Sequence, residues 1–157
     1  MTVHLDAYLA AVIDIEIEGR TWTNQPAARK SKDERLRALP ALLNDAAIVI
    51  TAWNPNGVNL PKERNQELNK LLEEDLRNAN LEFLQCIGRD NEGTHLEVSY
   101  FVSCRRTPDQ VTCLKLAHKY SQEAVFKLGK GCRSLLFTDK RMGSVEQAVN
   151  WMSSDVR

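Results

Sequence analysis

The sequence contains no long apolar run, no excess of charge of either sign and no export signal. No stretch approaches the roughly 18–20 apolar residues that cross a bilayer, and the first residues lack the basic and apolar regions of a signal peptide. We therefore expect a cytoplasmic protein with no membrane segment. Lysine plus arginine number 21 and aspartate plus glutamate number 21, so we expect no nucleic-acid partner, which would need a basic face.

Metal and disulfide motifs are missing as well. The sequence has four cysteines: Cys86, Cys104, Cys113 and Cys132. None forms a CxxC pair, and in a reducing compartment such thiols stay free and pack as small apolar residues. A divalent cation could in principle be bound by a second set, His95, Glu97, His118 and Asp90. Their spacing matches no metal motif, so we expect neither a metal nor a cofactor.

The composition that is present is typical of a globular protein. The 157 residues are 43% hydrophobic and 27% charged, which is ordinary for a folded domain of this size. No internal repeat or low-complexity tract divides the chain, so we expect a single domain over residues 1–157. A basic run is interrupted by acidic residues: Arg29, Lys30, Lys32, Arg35 and Arg37. It is either a solvated helix face or a phosphate-binding patch.

Hydrophobic periodicity predicts the elements of the first half. Residues 12–18 alternate isoleucine with acidic residues, which is typical of a half-buried edge strand. Residues 46–53 are almost continuously apolar, which indicates a central strand covered on both faces. The turn residues of 54–57 end that strand. Residues 62–79 carry leucines at helical spacing, so they predict an amphipathic helix.

The second half continues with alternating strands and helices. Residues 81–88 and 94–104 predict two strands joined by a polar loop. Thr107 and Pro108 are expected to begin a helix that runs to about Tyr120. Strands are expected at 123–128 and 133–138. The C-terminal tail predicts a last helix, with Ser144 as its cap and with Val145, Val149 and Met152 on one face.

The order of these elements predicts an α+β fold. The middle of the chain reads strand, helix, strand, strand, helix, strand, which matches the ferredoxin-like βαββαβ core. The extra strands at 12–18 and 133–138 are expected to extend that sheet, and the C-terminal helix to follow it. In this arrangement the end of strand 46–53 meets the starts of strands 94–104 and 123–128 at one edge.

That edge is the predicted functional site. It collects seven side chains: Trp53, Asn54, Asn65, Asn69, His95, Glu97 and Gln122. Asn65 and Asn69 continue the leucine stripe of helix 62–79 and therefore point inward, where an amide needs hydrogen-bond partners. Two interpretations remain open, a polar ligand pocket and a purely structural network of amides. The free N–H groups at the start of the helix would favour an anionic group of a ligand.

Four sequence features follow one another along the chain: ITAWNP at 50–55, Asn65 with Asn69, Glu97 with Ser99, and QEAVF at 122–126. In this order they resemble a bacterial family named domain of unknown function 3293. The resemblance covers about residues 46–128. It implies that the polar residues of the predicted edge belong together, but the family name implies no activity.

Three functions remain open. In the first, the protein binds a small polar ligand, such as a nucleotide-like or anionic one, through amides, one carboxylate and Trp53. In the second, it is a hydrolase in which Glu97 is the general base and the amides of Asn54 and Asn65 orient the reacting group. In the third, it is an interaction module, such as a homo-oligomer or accessory protein that works through a sheet face or the edge strand 12–18.

Overall fold

A computed structural model describes residues 5–27, 39–129 and 131–155. In chain order the elements are α1 (Leu5–Ala10), β1 (Val12–Ile17), β2 (Arg20–Pro26), α2 (Ala41–Asn44), β3 (Ala47–Ile50), α3 (Lys62–Asn78), β4 (Phe83–Arg89), β5 (Leu96–Ser103), α4 (Thr107–Lys119), β6 (Ala124–Leu128), β7 (Cys132–Phe137) and β8 (Ser144–Asp155). Short 3₁₀ turns lie at Pro55–Gly57 and Lys140–Met142. The basic run from Arg29 to Arg37 lies outside the described residues.

The strands form a closed antiparallel barrel in the order β1-β2-β8-β7-β6-β3-β5-β4. The predicted open, ferredoxin-like sheet is therefore wrong. Its central pairings do occur, since β3 lies between β5 and β6. The barrel closes because β2 pairs with β8 over seven residues and β1 pairs with β4. The N-terminal strands thus continue the sheet beyond β4 and the C-terminal strands continue it beyond β6. The β2–β8 pairing then joins the two ends of the sheet, so these strands close the barrel and are not extensions of an open sheet.

The predicted C-terminal helix is also wrong, because this segment is the 12-residue strand β8. Val145, Val149 and Met152 fit a helical face, but the observed burial follows a period of two. Val149 is buried and Trp151 partly buried, whereas Glu146 and Met152 are exposed. Strand β8 pairs with β7 on one side and β2 on the other, so its backbone hydrogen bonds are made on both sides.

Strand β1 has the predicted alternation but is not an edge. Ile13 and Ile15 are each 1% exposed and belong to the core of the barrel, whereas Glu16 faces solvent. Its backbone pairs with β2 and with β4, so the closed barrel leaves it no free edge. An interaction through a free edge of this strand, one route of the third function, is therefore lost.

Strand β3 is buried on both faces, as predicted, and separates two cores. Ile48 and Ile50 pack with Leu72 and Leu76 of α3 and with residues of α4, outside the barrel. Ala47 and Val49 face the barrel interior, together with apolar side chains of the surrounding strands. This two-sided burial fixes the strand and the segment that follows it. No helix among the described residues is long and apolar enough to cross a membrane.

Candidate functional site

A cavity of about 320 Å³ lies at one end of the barrel, beneath α1. The pairs Ile50–Tyr100 and Val49–Phe126 bring the end of β3 next to the starts of β5 and β6. The sequence predicted this meeting of strand ends. The cavity wall comes from these ends, from the end of β4 and from residues of α1.

Five of the seven predicted site residues line this cavity: Trp53, Asn54, His95, Glu97 and Gln122. The remaining two, Asn65 and Asn69, lie behind the wall on α3 and are 1% and 4% exposed. The predicted cluster is thus divided by the segment that follows β3. The amides on α3 and the lining residues of the cavity have to be considered separately.

Asn65 holds Asn54 in place. Its Oδ1 accepts a hydrogen bond of 2.8 Å from the backbone N–H of Asn54, and its Nδ2 donates to Asn54 Oδ1 at 2.8 Å. Asn54 itself has φ of 48°, in the left-handed region that few residues other than glycine adopt. The Asn65 amide therefore stabilises the turn that forms one wall of the cavity.

The Asn69 side chain bonds to the backbone of the segment that follows β3 and to the backbone of β5. Its Oδ1 accepts from the N–H of Ala52 at 2.9 Å, and its Nδ2 donates to the carbonyl of Val98 at 2.9 Å. Gln122 makes a similar contact, because its Nε2 donates to the carbonyl of Trp53 at 3.1 Å. These bonds supply the backbone partners that a structural amide network requires.

Glu97, at the start of β5, is the predicted carboxylate inside the cavity. It is half-buried, and this burial raises the pKa of its carboxyl group, whereas nearby His95 acts in the opposite direction. Within the described part of the chain, no lysine or arginine forms an ion pair with Glu97. The ionised form therefore lacks a fixed cationic partner there.

Among the lining residues that were not predicted from the sequence, two interact with each other: Tyr8 of α1 and Glu123 just before β6. The Tyr8 hydroxyl donates to Glu123 Oε2 at 3.5 Å. Burial raises the pKa of Tyr8, and the charges of Glu123 and then Glu97 raise it further. Glu123 and Glu97 therefore both raise the pKa of the same hydroxyl group. Glu123 could have been noticed beside Gln122 at a strand start, whereas no pattern marks Tyr8.

The cation in the cavity wall is already paired. Arg89 Nε donates to Asp14 Oδ2 at 2.6 Å, and the hydroxyl of Thr23 donates to Asp14 Oδ1 at 2.6 Å. The residues described contain no group of three histidine, cysteine or acidic side chains placed to hold a metal ion. Lys62, Glu63 and Arg64 at the start of α3 are exposed, and no residue of this helix lines the described wall.

The comparisons with known proteins add one finding. A family model described as protein of unknown function (DUF3293) matches residues 50–125. This range agrees with the resemblance found in the sequence. It runs from the last residue of β3 to the start of β6 and includes most of the residues that line the cavity. No curated protein and no solved structure matches the chain.

Proposed function

We propose a function for the protein from the cavity itself, because the family model that matches residues 50–125 is described only as a protein of unknown function (DUF3293). The cavity binds a small organic molecule. A cationic or hydrogen-bond-donating group of that molecule faces Glu97 and Glu123, and its apolar part packs on the surrounding wall. The observation that carries the proposal is this pair of carboxylates without a fixed cation in a mostly apolar cavity.

The size and lining of the cavity suit a small ligand. Its volume of about 320 Å³ falls at the lower end of the roughly 300–1,000 Å³ typical of small-molecule sites. Ile13, Val49 and Phe126 give it an apolar surface, and Trp53 adds an aromatic one. Such sites generally combine an apolar lining with a few polar groups that fix the orientation of the ligand.

The charge of the lining favours a cation over an anion. A half-buried carboxylate without a cationic partner is unfavourable, and a protonated amine would relieve that penalty at both Glu97 and Glu123. An anionic ligand would be repelled by the same two groups, and the start of α3, which the sequence suggested for an anion, is not part of the described wall. The proposed ligand is therefore polar, but not anionic.

Three small molecules of similar shape and different charge test this preference: benzylamine, benzyl alcohol and benzoate. We expect benzylamine to raise the melting temperature and to bind measurably in calorimetry, with weaker binding of the alcohol and none of benzoate. Glu97→Gln and Glu123→Gln should each weaken benzylamine binding about tenfold, the effect of one charged hydrogen bond. The matched control is Glu63→Gln, an exposed glutamate of α3 outside the cavity.

Two results would overturn the proposal. One is tighter binding of benzoate than of benzylamine. The other is benzylamine binding that Glu63→Gln weakens as much as Glu97→Gln does, because the amine would then respond to the overall charge of the protein and not to the cavity.

A second candidate function is acid–base catalysis by Glu97. The raised pKa and half-burial of this carboxyl group favour it, because a general base works best with a pKa shifted toward neutrality. Hydrolysis of p-nitrophenyl acetate and p-nitrophenyl phosphate gives a direct assay. If Glu97 is the base, the rate should rise with pH as this group ionises and should disappear in Glu97→Gln. Absence of turnover by the wild type, or turnover that survives in Glu97→Gln, argues for binding alone.

A further inference from the structure

Arg133, in β7, is a charged side chain buried inside the barrel. It is 1% exposed, and its guanidinium group bonds only to neutral acceptors among the described residues. Burial lowers the pKa of Arg133 to about 10, so the group stays charged at neutral pH. A buried cation without a carboxylate is unfavourable, which raises the question of what its contacts achieve.

The contacts of Arg133 lead to α1. One terminal nitrogen donates to the carbonyl of Ala11 at 2.6 Å and to that of Leu9 at 3.4 Å. The Nε donates to Gln147 Oε1 at 2.7 Å, and Gln147 Nε2 in turn donates to the carbonyl of Leu9 at 2.9 Å. These carbonyls are at the C-terminal end of α1, where a helix leaves its last acceptors unpaired and a cation is favoured.

The remaining hydrogen bond shows that Arg133 determines the orientation of the Asn24 amide. The other terminal nitrogen donates to Asn24 Oδ1 at 3.0 Å. The Nδ2 of the same amide is buried and has no hydrogen-bond partner in the described structure. Turning the amide would place its donor against the guanidinium group, so the oxygen faces Arg133 although the nitrogen is left unpaired.

Helix α1 has little else to hold it. It has six residues, and none of them is buried. An isolated helix of this length is unstable in water. Among the described residues, the other side-chain contacts of α1 are those of Tyr8, whose ring packs edge-on against Phe126 with centroids 6.4 Å apart and whose hydroxyl bonds to Glu123. The hydrogen bonds of Arg133 and Gln147 are therefore its main attachment to the barrel.

Arg133 also supports the cavity wall from behind. Its guanidinium carbon lies 4.5 Å from the centre of the Phe126 ring, close enough for a favourable cation–π contact. Phe126, Tyr8 and Ala11 all line the cavity. The arginine itself is not among the lining residues. Its contacts with Ala11 and Phe126 reach the cavity through these two lining residues.

We propose that Arg133 is the positioning residue of the cavity: from inside the barrel it holds α1 as a roof that can lift, and so controls access to the site. The helix is attached at its C-terminal end, near residues 9–11, so the movement would be about that end. The consequence for ligand binding rests on the proposed function. The attachment of the roof can be tested without any ligand.

Hydrogen–deuterium exchange of the full chain measures that attachment. Arg133→Met keeps a long apolar side chain but removes every donor, and we expect exchange in the peptide covering residues 5–11 to rise about tenfold or more. Exchange in α3 and β5 should stay unchanged. Arg133→Lys keeps the charge and should give an intermediate rise. Arg105→Met is the control, because Arg105 is exposed and pairs with Asp45.

Gln147→Leu keeps the proposal testable if the arginine variants do not fold. It removes the 2.9 Å bond to Leu9 and the 2.7 Å bond from Arg133 Nε, but it leaves the bonds of Arg133 to Ala11 and Asn24. Exchange at residues 5–11 should therefore rise about threefold. Unchanged exchange there, or an equal rise in α3 and β5, overturns the proposal, because Arg133 would then stabilise the barrel as a whole. If exchange rises as expected and benzylamine binds the wild type, but no variant changes that binding, Arg133 holds α1 and the control of access to the site is overturned.

Discussion

Two groups of polar side chains lie on either side of the segment that follows β3. On the helix side, Asn65 and Asn69 are buried, and both the oxygen and the nitrogen of each amide have protein partners. On the cavity side, Glu97 and Glu123 are only half-buried and form no ion pair within the described residues. One group has its partners inside the protein, and the other has room for a partner from outside.

This difference distinguishes polar side chains that stabilise the fold from polar side chains that are available to a ligand. The two amides bond mainly to the segment that follows β3, and they hold a left-handed residue, Asn54, in the cavity wall. Because the oxygen and the nitrogen of each amide already have protein partners, these amides have little capacity to bind a ligand. Glu97 lies in β5 and Glu123 just before β6, so neither charge is needed to form these strands, and the half-buried charge of Glu97 opposes folding. We therefore expect substitutions on the two sides to act in opposite directions on stability.

Asn69→Ala should have the largest effect and should lower stability. It leaves the buried N–H of Ala52 without its acceptor and removes a donor from the carbonyl of Val98. We expect a loss of about 2–4 kcal/mol in the free energy of unfolding, measured by urea denaturation. The melting temperature should fall by about 5–10 °C.

The control for this substitution is Asn78→Ala, at the exposed end of the same helix. It should change the free energy of unfolding by less than about 0.5 kcal/mol. Equal effects of the two substitutions would mean that the Asn69 amide has no special role, and the contrast between the two sides of the segment would disappear.

The sequence predicted the core of this fold but not its closure. Strand β3, helices α3 and α4, and the pairing of β3 with β5 and β6 follow from apolar runs and helical spacing. Closure depends on β2 and β8. The β2 segment, RTWTNQP, is mostly polar and ends in Pro26, and the valine spacing of β8 fits a helix as well as a strand. Pairing between such distant strands leaves no local pattern in either one.

The candidate site was predicted to a similar extent. Strand order at the core placed Trp53, Glu97 and Gln122 at one end of the sheet, and they do line one cavity. Tyr8 could not be predicted, because its contact with Glu123 joins residues 115 positions apart and depends on the barrel closing under α1. For the same reason, no sequence pattern indicated that Arg133 would be buried.

Glu97→Gln should have a smaller effect and the opposite sign near neutral pH. Burial favours the protonated form of Glu97, so its pKa is higher in the folded chain than in the unfolded chain. The stabilisation that this provides is complete below the unfolded pKa and is lost as the pH rises through the folded pKa. Glutamine stays neutral at every pH, so the variant should melt about 2–4 °C above the wild type at pH 7 if the effect is about 1 kcal/mol.

The difference between Glu97→Gln and the wild type should vanish below about pH 4, where both side chains are neutral. Melting curves from pH 3 to pH 8 measure this dependence, with Glu63→Gln as the exposed control. A difference that is constant over the whole range would show that the ionisation of Glu97 has no part in it.

Tyr8→Phe should have the smallest effect on stability and still change the site. It removes a hydroxyl whose hydrogen bond to Glu123 is long, at 3.5 Å, and keeps the ring that packs on Phe126. We expect a change of less than about 0.5 kcal/mol in the free energy of unfolding and unchanged hydrogen exchange in residues 5–11. Affinity for benzylamine should fall about threefold, the effect of one weak hydrogen bond. A large loss of stability would instead mean that the hydroxyl is structural, like the amides of Asn65 and Asn69, and that the division between the two sides of the segment does not extend to α1.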